Sequence, residues 1–139
     1  MAHMNVEEEI AASAEAVWKL LSDFGGLKAW ATMVESCELD GEGVGAVRTL
    51  SMGGMMLKER LERLDEAAKS FSYSIVEGPI PANNYLATVS VSEIGQGRSR
   101  IIFSTDFEPV GVPEADLVQL FEGVYSDMAK GVQKAPGAP

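Results

Sequence analysis

The chain has 139 residues, 46% of them apolar, and a formal net charge of −10, which is a single-domain length with enough apolar side chains for one core. The acidity is spread along the chain without a Lys/Arg cluster, which excludes nucleic acid as a partner and disfavours anionic membrane surfaces, since both call for concentrated positive charge. No run approaches the roughly eighteen consecutive apolar residues of a membrane span, and a lone Cys37 excludes an internal disulfide and a cysteine-only metal site.

In chain order, Met1-Ala2-His3-Met4 reads as an expression scar. The only histidine is then artificial, and histidine catalysis or metal binding drops out. The domain is expected over 5–134, with no secretory signal and a reducing, cytoplasmic location. Asn5–Ile10 alternates as a short strand. Ser13 caps a helix over Ala14–Ser22, with Val17, Leu20 and Leu21 on one stripe. Gly25-Gly26 breaks it, and Leu27–Ala31 is expected as a second short helix. Six alternating runs follow, at roughly 32–40, 44–52, 55–64, 70–77, 84–93 and 98–107, joined by short turn-rich links that favour antiparallel hairpins. One of these links, DGEGVG over 40–45, has the glycine spacing of a phosphate-binding loop. It leads into a strand rather than a helix, however, and carries Asp40 and Glu42, so it reads as a hairpin connection. After Pro113 the period becomes helical, with Leu117, Leu120, Phe121, Val124, Met128 and Val132 on one stripe. The tail, 135–139, is Pro/Gly-rich and expected to be flexible.

Side chains on a strand switch faces at each residue, which assigns an interior face. Tyr85, Ala87, Val89 and Val91 share it, as do Phe71, Tyr73 and Ile75, and Phe103, Thr105 and Phe107; serines and threonines fill the opposite rows. The same alternation points three ionisable groups inward: Glu35 beside Met33 and Cys37, Arg48 beside Leu50 and Met52, and Glu59 between Leu57 and Leu61, with Met55 and Arg63 at the ends of that run. A two-residue turn at Gly53-Gly54 sets Met52 opposite Met55 and Arg48 opposite Glu59. A buried charge is costly unless paired, so Arg48 and Glu59 either neutralise each other as a register device or line a wet cavity and meet a ligand. Glu35 has no partner; it is a cavity acid/base or sits in water at the rim.

Several stretches resemble the START/Bet v 1-like (SRPBCC) superfamily, its polyketide cyclase/dehydrase-like branch and the plant abscisic-acid receptors. They are Val17-Trp18 with Leu21-Ser-Asp-Phe24, Val34-Glu-Ser-Cys37, Gly43-Val-Gly-Ala-Val-Arg48, Glu59-Arg-Leu-Glu-Arg-Leu-Asp65, Tyr73-Ser-Ile-Val76 and Asn84-Tyr85. The resemblance implies an α+β helix-grip fold: a seven-stranded curved antiparallel sheet around a long C-terminal helix, with two short helices after the first strand and an apolar cavity inside. It implies no cofactor and no metal. In the receptors, Arg48, Glu59 and Tyr85 match polar cavity positions, and the loops at 51–55 and 77–83 match a mobile gate and its latch. Leu50, Met52, Met55, Leu57, Tyr73, Ile80, Ala87, Phe103, Thr105, Phe121, Val124 and Met128 complete the expected ligand-binding set. The lysine that would hold the hormone's carboxylate is Glu35 here, which argues for a neutral or cationic ligand instead.

Three functions follow as expectations. The favoured one is binding or carriage of a small hydrophobic molecule in the cavity. The second is a cofactor-independent cyclase, aldol-type or dehydratase enzyme with Glu35 or Glu59 as general acid/base and Arg48 or Tyr85 stabilising an enolate. The third is an interaction module whose gate loop docks a protein partner, in a monomer or weak dimer.

Overall fold

The computed structural model describes residues 1–134, and the tail expected to be flexible lies outside the described residues. The elements are β1 (Ala2–Ile10), α1 (Ala14–Leu21), a single 3-10 turn (Leu27–Ala29), β2 (Val34–Asp40), β3 (Val47–Met52), β4 (Met55–Asp65), β5 (Ser70–Glu77), β6 (Ala82–Gly95), β7 (Arg98–Pro109) and α2 (Glu114–Lys134). The strands form one antiparallel sheet in the order β1-β7-β6-β5-β4-β3-β2. β2 to β7 run as a meander, and the first strand closes against the last, with α2 packed on β1 and β7. One apolar core lies between the sheet and the helices, fed from β5 by Phe71 and Tyr73, from β7 by Phe103 and Phe107, and from α2 by Leu117, Phe121 and Tyr125.

Local chemistry sets the boundaries. Ser13 Oγ accepts from the Ala16 N–H at 3.2 Å and starts α1. Gly53 and Gly54 have φ of +58° and +82°, the tight two-residue turn that fixes the β3–β4 register with Met52 opposite Met55 and Arg48 opposite Glu59. At Gly131 an added Cβ would lie 2.1 Å from the Trp30 carbonyl oxygen, so the absent side chain is what lets α2 sit against the residue following the 3-10 turn.

The structure departs from the sequence expectations at several ends. β1 starts at Ala2, not Asn5, so the segment read as an appended scar contributes Ala2 and Met4 to the core. The expected second helix is one 3-10 turn, Leu27–Ala29. β3 begins at Val47 because the 41–45 glycines form the connection, without a helix following them.

Candidate functional site

The concave side of the sheet and α2 enclose a cavity. Its volume, as space open to the centre of a water-sized sphere, is about 50 Å³. β3, β4, β5 and β6 supply the floor, because Arg48, Glu59, Tyr73 and Tyr85 fall in the inward phase of their strands; α2 supplies Phe121, Tyr125 and Met128 from above. The rim is built from Met33, Met52, Met55, Ile75, Ile80 and Val124, all half-buried, and from Leu120, which is exposed. An apolar rim over a polar floor is the pattern of a small-molecule site.

Arg48 is the centre of the floor. Its Nε donates to Glu59 Oε1 at 2.7 Å, and its Nη1 donates to the Phe24 carbonyl at 3.1 Å. The guanidinium also stacks on aromatic faces, 4.0 Å from the Phe24 ring centre and 4.9 Å from that of Tyr73. Both partners of the ion pair are buried, with side chains 3% and 8% exposed. Ion pairing, a carbonyl and two ring faces thus replace the water that the guanidinium lost.

Beside this pair lies a run of hydroxyls. Tyr85 and Tyr125 are hydrogen-bonded to each other, and Tyr125 is bonded to Thr105 Oγ1 at 2.6 Å. The Tyr125 ring stacks on Phe103 at 5.0 Å, which holds its hydroxyl in place. Burial pushes the Tyr73 and Tyr85 phenols well above their ordinary range and Tyr125 up to about 12. All three therefore remain neutral hydroxyls at physiological pH.

Of the residues expected at the site, Leu50, Met52, Met55, Leu57, Ile80, Val124 and Met128 line the cavity together with Arg48, Glu59, Tyr73, Tyr85 and Phe121. Ala87, Phe103 and Thr105 are buried behind it, and Thr105 reaches it through Tyr125. Glu35 corrects the sequence reading. The β2–β3 register passes from Val34↔Met52 directly to Ser36↔Ser51, so Glu35 is the extra residue of a bulge and is exposed. Val34, one residue earlier, takes the inward place. Arg63 is corrected in the same way: a register shift between Leu61 and Arg63 turns it outward, and Leu64 takes up the half-buried position opposite Phe71. The expected ligand-binding set missed Leu27, Met33, Val34, Ile75, Leu120 and Tyr125 as lining residues, although alternation places Met33 and Ile75 on inward faces and Leu120 falls on the apolar stripe of α2. A signal existed for Tyr125, which continues the spacing of Leu117 and Phe121 along α2.

The profile described as polyketide cyclase/dehydrase and lipid transport matches residues 1–135. The chain belongs to this family. Among curated relatives of this family member, abscisic acid receptor PYL6 of Arabidopsis thaliana is 31% identical over 71% of the chain, and abscisic acid receptor PYL2 of the same plant 29% identical over 80%. The matched regions span 52% and 63% of those receptors' lengths. Among solved structures, the protein XoxI of Bacillus cereus superposes with a TM-score of 0.90 at 36% identity, covering 96% of this chain and 94% of that one. An uncharacterised protein of Bacillus thuringiensis gives 0.88 at 35% identity, covering 95% and 96%. The family typically binds small hydrophobic ligands. Among the described residues no helix is long and apolar enough to cross a membrane.

Proposed function

We propose that this protein binds and carries a small, neutral, hydrophobic molecule in the cavity between the sheet and α2. The observation that supports it most is the character of the lining: apolar walls around a floor whose two charges, Arg48 and Glu59, neutralise each other at 2.7 Å. A net ionic ligand would be left without a free counter-charge, and burying an unpaired charge costs several kcal/mol, roughly the binding energy available to a small ligand. With Glu35 exposed outside the cavity, the one carboxylate in the lining among the described residues is Glu59, already paired with Arg48, and none is free to hold a cation. Abscisic acid, the ligand in the names of the plant relatives, is a carboxylic acid; this floor suits an uncharged molecule better.

The cavity of about 50 Å³ has room for a few waters, each needing roughly 10–15 Å³ by this measure. A larger ligand enters by displacing rim side chains. Met52 and Met55, which flank the Gly53-Gly54 turn, are suited to that, because methionine is unbranched and adaptable, and Ile80 lies in the short link between β5 and β6.

The test is a thermal-shift screen of neutral hydrophobic metabolites, followed by mass spectrometry of the recovered ligand. Binding predicts a saturable rise in Tm, about 2.7 kcal/mol of stabilisation at a ligand concentration of 100 Kd, and perturbed methyl signals for Met52, Met55 and Met128. A ligand recovered unchanged supports carriage, whereas one recovered transformed moves the assignment to catalysis by Glu59 and the neighbouring phenols. A flat screen with unperturbed methionine methyls refutes the reading.

A further inference from the structure

The hydroxyl run beside the ion pair carries a consequence for ligand chemistry that follows from counting protons. Thr105, Tyr125 and Tyr85 contribute one O–H proton each, and the three oxygens are joined by two hydrogen bonds, both through Tyr125. The Tyr73 phenol, within reach of both tyrosine hydroxyls, adds a fourth O–H beside them. Two bonds use two protons, so one O–H of the Thr105, Tyr125 and Tyr85 set is left over.

Its location follows from burial. Thr105 is 1% exposed, and among the described residues its hydroxyl makes this one hydrogen bond. A chain running from Tyr85 through Tyr125 to Thr105 would strand the spare proton there, away from water and from any acceptor, which is unfavourable. In every other arrangement Thr105 donates to Tyr125, and the spare O–H belongs to Tyr125 or Tyr85. Both of those residues line the cavity. Thr105 thus acts as a positioning residue that keeps the spare O–H on a cavity tyrosine, and where Tyr125 donates on to Tyr85 the three hydroxyls run in one direction. Hydroxyls bonded in one direction polarise each other and strengthen the terminal donor.

We infer that the Thr105–Tyr125–Tyr85 chain is a directed hydrogen-bond donor that selects ligands carrying a neutral acceptor oxygen, a ketone or aldehyde carbonyl above all, over hydrocarbons of the same shape. The inference rests on the reading of the cavity as a ligand site. It narrows that reading, because a floor of this kind penalises an occupant that leaves the spare O–H unpartnered.

The test uses the full chain and two probes of nearly equal shape, cyclohexanone and methylenecyclohexane, titrated by NMR through the methionine methyl signals. In the Tyr85→Phe/Tyr125→Phe variant the ratio of the two dissociation constants is expected to move against the ketone by about tenfold or more. In Thr105→Val, which frees the direction of the chain, it moves by a smaller factor. An independent reading on the unaltered protein guards against variants that do not fold: the carbonyl stretch of bound cyclohexanone should lie at lower wavenumber than in hexane. If both probes bind but the ratio is unchanged in the double variant, or the stretch is lowered equally there, Arg48 or Tyr73 is the donor and the inference is overturned while the cavity reading stands. A stretch at the hexane position overturns it likewise. If neither probe perturbs the cavity signals, the inference and the ligand-binding reading both fail.

Discussion

Removing Arg48 should damage the fold far more than removing its partner's charge, although each breaks the same ion pair. In Arg48→Met, Glu59 is left with its side chain 8% exposed and without the donor that held it. Stranding a buried charge in this way costs about 3–5 kcal/mol. In Glu59→Gln, the amide oxygen still accepts from Arg48 Nε, and the guanidinium keeps the Phe24 carbonyl and the Phe24 and Tyr73 ring faces. That loss is expected at about 1–2 kcal/mol, because the bond stays charge-assisted from the guanidinium side and the carbonyl and ring faces still offset the buried cation. The double variant Arg48→Met/Glu59→Leu, with no charge to bury, should come back to within about 1–2 kcal/mol of the unaltered chain. For a chain of this size about 3–4 °C of Tm accompanies each kcal/mol, so Arg48→Met should melt roughly 9–20 °C lower. Urea unfolding followed by circular dichroism at pH 7 measures all three. Equal losses in the two single variants, or a double variant that loses their sum, would refute the account of the floor as an asymmetrically supported pair.

Other expectations follow from the same geometry. The chain has three tyrosines, all in the cavity, and burial raises their folded-state pKa above the unfolded value of roughly 10, with Tyr125 at about 12. Because the neutral form is the one favoured by folding, their contribution to stability is complete below pH 10 and is lost as pH rises toward 12. Absorbance at 295 nm should therefore show tyrosinate only together with alkaline unfolding, and in urea at a midpoint near the ordinary phenol value. Gly131→Ala should destabilise by about 1–3 kcal/mol through its clash with the Trp30 carbonyl. Gly123→Ala, with nothing within 4 Å of the added methyl, should instead gain up to about 1 kcal/mol of helix propensity; urea denaturation separates the two. Glu35→Gln should leave stability within about 0.5 kcal/mol and cyclohexanone affinity unchanged by NMR titration, since the side chain is exposed at a bulge.

The sheet was legible because its signals are local: alternation gave the faces of β5 and β6, and the Gly53-Gly54 turn alone was enough to place Arg48 opposite Glu59. Alternation fails where the chain adds a residue. The bulges at Glu35 and before Arg63 leave no composition mark, since the hydrogen-bond register belongs to the pair of strands and neither strand encodes it alone. Tyr125 was missed for a different reason. A stripe drawn through apolar residues passes over a tyrosine, although its ring buries as well as phenylalanine once the hydroxyl finds a partner. That partner, Thr105, sits on another element, so the polar half of the site could be seen only with the fold assembled.

The rim's sulfur atoms also tie the cavity to the redox state around it. Met33, Met52 and Met55 are half-buried at the mouth, where an oxidant can reach them, and conversion to the sulfoxide turns a pliable apolar side chain into a polar, chiral one. Oxidation there would leave the ion pair and the hydroxyls intact while making the entrance hydrophilic, so the fold would persist while the proposed site lost its affinity for apolar molecules.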